Sequence, residues 1–333
     1  MIRIALDVHG GDNAPDCTID GALKALEANS DIAIQLIGRE EVIREKLAGR
    51  TYDAARLSIV HAEQIIEMGE EPAQAIMRKR DSSIAVGIKR LREKEADAFV
   101  SCGSTGAVLV GGQIIAKTLP GIKRAPLAAP MPTLKGYSLL IDCGANVDAK
   151  KEVLQQFAVM GSLYAKYVLN ISDPTVGLVN IGTEEEKGNA LTRETYPLLK
   201  ETKGIRFIGN AEARDLLFGV ADVYVCEGFT GNIVLKSIEG TSKALIQEIK
   251  STLKSSKIGM LGGLLIKKPL KTMMKKYDST AVGGAIMLGL NGLVVKGHGN
   301  SDAEAVKNGI LQCVAFHEQN LNEKIAKAIG ELQ

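Results

Sequence analysis

Tryptophan is absent from this 333-residue chain, and aromatic residues together make up 4% of it. Platforms for stacking bases are therefore scarce, and a formal net charge of +2 offers no global pull toward polyanions, so no nucleic-acid partner is expected. Cysteine is thinly spread: Cys17, Cys102, Cys143, Cys226 and Cys313 are five, an odd number, with no C-x-x-C pair among them. That usage excludes a disulfide framework and a structural zinc site and fits a reducing compartment. No apolar run reaches the roughly 18 to 20 residues that a membrane span needs, and the first residues read as a strand rather than a signal peptide. A cytoplasmic location is expected. Neither G-x-x-x-x-G-K-[ST] nor G-x-G-x-x-G occurs, and Gly103-Ser104-Thr105-Gly106 departs from the G-x-S-x-G elbow. A nucleotide cofactor is unsupported, and no other cofactor is expected.

What the chain does have is 45% hydrophobic and 24% charged residues, over a length that can bury a large core. One large α/β domain is expected. A soft internal boundary falls near 119–135, where Pro120, Pro126, Pro130 and Pro132 exclude long helix and mark a bend or an edge strand. Residues 1–6, 32–38 and 56–61 read as strands, with helices at 15–28 and 40–48 between them. This β-α-β-α-β alternation predicts a mostly parallel sheet. Further helices are expected at 72–79 and 83–94, then a strand from Asp97 feeding an apolar helix to Thr118. Strands at 138–142, 176–181, 205–208 and 293–296, long helices at 152–169 and 190–200, and a single closing helix from Ala303 to about Ile329 complete the expectation.

The stretch 221–236 shows the pattern that recurs along the chain: a short apolar strand, Val223 to Val225, then a glycine turn with Gly228 and Gly231, then a helix. Thr230 and Asn232 stand at that helix start, where unpaired N–H groups and the helix dipole favour an anion or a developing oxyanion, and where either residue also serves as an ordinary cap. In a parallel sheet the carboxyl ends of the strands share one edge, so the loops at 10–14, 103–106, 143–148, 182–189, 228–232 and 297–302 are expected to converge on one crevice. Their shared chemistry is backbone N–H groups, small donors and one cation inside a loop, Lys187, which describes a phosphate site. The candidate phosphate and substrate residues are Gly10, Gly11, Asp12, Ser104, Thr105, Gly106, Asn146, Asp148, Asn210, Thr230 and Gly231. The strand-end thiols of Cys102, Cys143 and Cys226 read as small buried hydrophobes without a neighbouring base. His9 and His298 read as loop fillers. Asp142, Asp148 and the run Glu184 to Glu186 match no metal-ligand spacing, and no metal is expected.

One segment stands apart. Residues 250–276 carry eight lysines and no acid, interleaved with leucine, isoleucine and methionine, and read as a basic amphipathic helical hairpin broken near Gly262-Gly263. Lys257, Leu264, Leu265, Ile266, Lys267, Lys268 and Lys271 are its candidate contacts, either with a partner subunit or with an anionic membrane surface.

Over nearly its whole length the sequence resembles the bacterial phosphate acyltransferases of phospholipid synthesis. The marks are Gly10-Gly11-Asp12 with Pro15, Gly144-Ala145-Asn146-Val147-Asp148, Gly182-Thr183-Glu184 with Lys187-Gly188-Asn189, Gly209-Asn210-Ala211-Glu212-Ala213-Arg214 and Gly228-Phe229-Thr230-Gly231-Asn232. It departs at His9, where the family usually has methionine, and at Cys102 and Ser104, where alanine and asparagine are usual. The resemblance implies a three-layer α/β/α sandwich similar to isocitrate and isopropylmalate dehydrogenases, a homodimer and peripheral membrane contact. It also implies transfer of an acyl group from acyl carrier protein to inorganic phosphate, with a glycerol-phosphate acyltransferase downstream. Lys187 and Asn232 are then the expected catalytic donors. Two other readings are a phosphotransacetylase-like enzyme using coenzyme A thioesters and a non-catalytic scaffold that binds phosphate or acidic partners.

Overall fold

A computed structural model describes residues 1–276 and 283–332, the side chains of Lys275 and Lys276 lying outside the described residues. The first half of the chain runs β1 (Ile2–Asp7), α1 (Asp16–Ala28), β2 (Ile32–Gly38), α2 (Glu40–Leu47), β3 (Leu57–His61), α3 (Pro72–Arg78), α4 (Ser83–Arg92), β4 (Ala98–Ser101) and α5 (Thr105–Gly111). A π-helical turn, Gly112–Ala116, extends α5. Then come β5 (Leu127–Thr133), β6 (Gly136–Ile141), α6 (Lys151–Tyr167), β7 (Thr175–Asn180), α7 (Ala190–Glu201), β8 (Arg206–Glu212), a 3-10 turn (Ala213–Phe218) and β9 (Val223–Val225). Last are α8 (Gly228–Lys254), α9 (Lys257–Leu265), α10 (Lys267–Lys276), β10 (Ala285–Met287), β11 (Leu293–Lys296), α11 (Ala303–Glu318) and α12 (Leu321–Gly330).

All the strands join one sheet in the order β3-β2-β1-β4-β11-β10-β5-β6-β9-β7-β8. Alternation along β1 shows why helices cover both faces. Ile2, Ile4 and Leu6 enter a core shared with Ile19 of α1, Phe157 of α6 and Ile310 of α11. Ala5 enters a second core on the opposite face, with Ile88 of α4, Val108 of α5 and, partly buried, Leu235 and Ile238 of α8. The three layers expected from the resemblance are present.

The sheet is mostly parallel, but three neighbouring pairs, β11–β10, β10–β5 and β5–β6, are antiparallel. This overturns the single shared edge. β6, β9, β7 and β8 are parallel to one another but run against β1, β2, β3, β4 and β11, because the chain reverses through this antiparallel centre. The loops after β1, β4 and β11 therefore leave one edge, and those after β6, β7 and β9 leave the opposite one. The proline-rich strand is also differently placed, since β5 lies inside the sheet. β10 reaches only Leu127 and Ala128, so Pro130 and Pro132 sit where β5 has β6 on one side alone, a position that tolerates a missing N–H.

Two helix expectations also change. The closing helix is interrupted at Asn320, whose φ of 49° is left-handed, a conformation asparagine adopts at lower cost than most residues. The basic segment breaks at Ser255-Ser256 and at Ile266 rather than at the glycine pair. Ser256 caps α9, its Oγ accepting from Gly259 N at 2.9 Å. Gly259 lets α9 fold back closely onto the end of α8, for a Cβ there would lie 2.7 Å from Leu253 O.

Candidate active site

The junction of β6 and β9 with α8 is built around Asp142, a fully buried residue just past the end of β6. Its Oδ1 accepts N–H bonds from Leu127 (2.9 Å), Ala145 (3.0 Å) and Gly144 (3.1 Å), and its Oδ2 accepts from Asn146 N (2.7 Å) and Asn146 Nδ2 (2.8 Å). Burial pushes the carboxyl pKa up against the pull of these donors, of which Ala145 N–H is the largest. The loop 143–146 thus wraps a carboxylate of the chain itself. Asn146 spends its second amide proton on Ala125 O at 2.9 Å and fastens the loop to the segment before β5.

α8 abuts this loop with no room to spare. Gly228 N donates to Asn146 O at 2.7 Å. A Cβ on Gly228 would lie 2.8 Å from that same oxygen, and one on Gly231 would lie 1.9 Å from Asp142 O. The cap is neither Thr230 nor Asn232 but Glu227, whose Oε1 accepts from Thr230 N (3.1 Å) and from Thr230 Oγ1 (2.6 Å). A carboxylate therefore already sits on the positive end of this helix. Asn232, half-buried, has its side chain beside Gly144, a Cβ on which would lie 3.6 Å from Asn232 Cβ and Cγ. Its amide makes no hydrogen bond among the described residues.

The loop after β7 carries Lys187 on the same edge. Asn180 Nδ2 donates to Lys187 O at 3.0 Å, and Asn210 Nδ2, from β8, donates to Glu184 O at 2.7 Å. Both amides shape the loop. The Lys187 side chain is exposed, and Asn210 Oδ1 is buried without a hydrogen-bond partner. Asp148 lies exposed beyond the Asp142 turn, and Glu185 pairs with Lys200 at 3.3 Å.

At the opposite edge the loops after β1, β4 and β11 interlock. Asp7, 1% exposed, accepts from Ser101 Oγ at 2.7 Å and from His9 N at 3.1 Å. Ser101 Oγ in turn accepts from Gly103 N at 3.0 Å. A Cβ on Gly10 would lie 2.4 Å from Asp7 Oδ2 and 2.6 Å from Gly103 N, and Gly11 has a φ of 106°. Asp12 N donates to Gly299 O at 2.7 Å. Ser104 caps α5, accepting weakly from Ala107 N at 3.4 Å; Thr105 is exposed, and Gly106 packs against Pro72. His9 Nε2 accepts from Arg39 N at 3.0 Å, and burial lowers its pKa, so the ring is a neutral fastener between β1 and β2.

The two edges meet along α8. Asn232 lies near its start, and Glu239, seven residues on, faces His298 in the loop after β11, with Oε1 3.5 Å from Nε2. That spacing is about 10 Å along the helix axis. The candidate residues thus form two groups rather than one ring: Asn146, Asp148, Lys187, Asn210, Thr230, Gly231 and Asn232 at one end, and Gly10, Gly11, Asp12, Ser104, Thr105 and Gly106 at the other. Of three residues that hold them, Asp142 is weighed from sequence only as a metal ligand, and Glu227 and Glu239 are not among the candidates. Asp142 had a legible signal, an acid closing an apolar strand ahead of a glycine turn.

The thiols of Cys102, Cys143 and Cys226 are all buried, and burial raises each pKa. None of them is poised as a thiolate nucleophile.

The profile of the family described as "Fatty acid synthesis protein" matches residues 2–324. The phosphate acyltransferase of Caldicellulosiruptor saccharolyticus is 46% identical over 328 residues, 98% of each chain. That of Clostridium tetani is 42% identical over 332 residues, covering 100% of this chain and 99% of its own. Among solved structures, a phosphotransacetylase from Streptococcus pyogenes superposes with a TM-score of 0.62 at 16% identity, over 95% of this chain and 94% of that one. The EutD phosphotransacetylase from Staphylococcus aureus gives 0.57 at 18% identity, over 98% and 94%. These two likenesses establish the fold, a Rossmann-like α/β sandwich, while the sequence matches span almost every residue that builds the two ends of α8. The chain belongs to the fatty acid synthesis protein family and, within it, to the phosphate acyltransferases.

Proposed function

We propose that this enzyme transfers a fatty acyl group from acyl-[acyl carrier protein] to inorganic phosphate, yielding an acyl phosphate for phospholipid synthesis. The observation that carries the proposal is Asn232. In a junction where Asp142 is bonded to Asn146 and Glu227 to Thr230, its amide lies beside Gly144 and makes no hydrogen bond among the described residues. In the reaction a phosphate oxygen attacks the thioester carbonyl carbon. The carbonyl oxygen becomes the oxyanion of a tetrahedral intermediate, the C–S bond breaks, and the carrier leaves as a thiol. A thioester carries its own leaving group, so no enzyme-bound acyl group is needed. Lys187 supplies a mobile positive charge and Asn232 a directional N–H, and each preorganised oxyanion donor is worth about 3 to 4 kcal/mol.

The same reading makes the enzyme a homodimer in the cytoplasm, working at an anionic membrane surface beside a glycerol-phosphate acyltransferase. Support comes from α9 and α10. Leu264 is 67% and Leu265 77% exposed, next to Lys257, Lys267, Lys268 and Lys271, while no described helix is long and apolar enough to cross a membrane. Phosphate-dependent thiol release from acyl carrier protein and from coenzyme A thioesters, run side by side, tests the donor. Lys187→Ala and Asn232→Ala should each lower kcat about a hundredfold or more with the melting temperature little changed. A variant that turns over normally loses its catalytic role, and faster release from coenzyme A thioesters would replace the proposed donor.

A further inference from the structure

Around Asp142, Glu227 and Asp7, several backbone N–H groups of the glycine loops are taken by the chain's own carboxylates and hydroxyls. Asp142 takes those of the loop after β6, Glu227 that of Thr230, Asp7 that of His9, and Ser101 Oγ that of Gly103. Side chains can also meet an incoming oxyanion, and at the β1-β4-β11 edge a cationic set is in place. Lys296, the last residue of β11, is 6% exposed and its Nζ donates only to Gly297 O. No carboxylate lies within ion-pair distance of it among the described residues; burial lowers its pKa, and Cys102, Asp7 and Asp12 oppose that from longer range. A buried ammonium with unused donors is costly unless something pairs with it. Lys236 of α8 is close enough to bear on both Lys296 and His298, and Lys243 bears on His298.

A second orphan lies beside this one. Glu239 Oε1 is buried with no hydrogen-bond partner among the described residues, and His298 Nε2 is 3.5 Å away. That pairing closes when the imidazole takes a proton, and a bound anion favours the protonated ring. We propose that Lys296, Lys236 and His298 form a second anion subsite beside α8, at the carboxyl ends of β1, β4 and β11, for an oxyanion of the phosphate or phosphate-ester class.

Asn232, Lys236, Glu239 and Lys243 follow one another at spacings of four, three and four residues, so they share one face of α8. From Asn232 to Lys243 that face runs about 16 Å. That face is thus long enough for one substrate to be held by a charged group at one end while it reacts at the other. Assigning the subsite to a substrate rests on the acyl-transfer reading; the existence of the subsite does not. Two sources supply the chemistry: the phosphodiester on the arm of a carrier-protein thioester, or inorganic phosphate itself.

The test uses Lys296→Met and Lys236→Ala in the full chain. Methionine removes the buried charge and keeps an apolar side chain of similar length, so Lys296→Met should melt at or above the wild-type temperature. A purely structural role predicts no further change. As a subsite residue, each substitution should raise KM at least tenfold. A rise confined to the acyl-carrier-protein thioester assigns the phosphodiester, and one confined to phosphate assigns the inorganic anion. The protein's thermal shift in inorganic phosphate, which needs no turnover, should fall by half or more in both variants. Wild-type shifts and both KM values within twofold in both variants overturn the subsite, as does a wild-type protein that shows no phosphate-dependent shift. A normal shift without any turnover overturns only the acyl-transfer reading.

Discussion

Gly231→Ala is the sharpest probe of the junction between α8 and the Asp142 turn. The added methyl carbon would lie 1.9 Å from Asp142 O and 2.9 Å from Cys226 Sγ, where real Cβ contacts essentially never fall below 3.0 Å. The oxygen belongs to the backbone and cannot rotate away, so helix and loop must separate by about 1 Å. A displacement of that size at a reacting group costs about a hundredfold in rate. Overpacking costs about 1 to 3 kcal/mol of stability, offset by about 1 kcal/mol from replacing a helical glycine. Gly240 supplies the control, because it lies in the same helix and a Cβ there would meet nothing within 4 Å. Gly240→Ala should turn over normally and gain up to about 1 kcal/mol. Stopped assays of phosphate-dependent thiol release, paired with urea unfolding of both variants, give the two numbers for each. If Gly231→Ala works within threefold of wild type and unfolds at the same urea concentration, Asn232 is not held by this contact and its placement does not matter for the chemistry.

Changing Cys102, Cys143 and Cys226 together to alanine should leave most activity wherever the variant folds, since burial holds all three as thiols; an acyl group found on one of these sulfurs by mass spectrometry would contradict this. Burial lowers the pKa of both His9 and His298, so the unfolded chain takes up protons first as pH falls. Their contribution to stability is complete above about pH 6.5 and is lost on acidification below it. The melting temperature should drop between pH 7.5 and 5.5, and His9→Gln should lessen the drop; an undiminished drop in that variant removes His9 from the account. Liposome flotation should show salt-sensitive binding to anionic vesicles at about 1 kcal/mol per engaged lysine. Replacing Leu264, Leu265 and Ile266 with glutamate should abolish it, and unchanged flotation by an intact protein would refute membrane contact through α9.

Strand and helix identity was largely legible because it rests on local patterns. Ile2, Ile4 and Leu6 alternate with residues facing the other core, and the β-α-β spacing forces parallel neighbours. The direction of the second half of the sheet was not legible. It depends on β10, a three-residue strand with no distinguishing pattern, and on β5 entering the sheet despite its prolines. Sequence does not show which N–H groups of the loops remain free. Asp142 and Glu227 read as ordinary acids until their oxygens are seen on Ala145, Asn146 and Thr230. Lys296 is legible only as the end of a strand; its burial comes from tertiary packing.

The strand order also constrains when the protein can fold during its synthesis. β11 pairs with β4, yet β4 ends at Ser101 and β11 begins at Leu293. At ribosomal rates the edge of β4 waits about 10 to 40 s for its neighbour. α1 waits longer still, about 14 to 55 s at the same rates, for α11, the helix that covers its buried face. A nascent chain therefore exposes an open sheet edge and an apolar helix face until almost its last residues emerge, and an unpaired edge of this kind invites association with other chains. Lys296 sits on that late strand, so a chain released early would lack both the closing strand and the ammonium it carries.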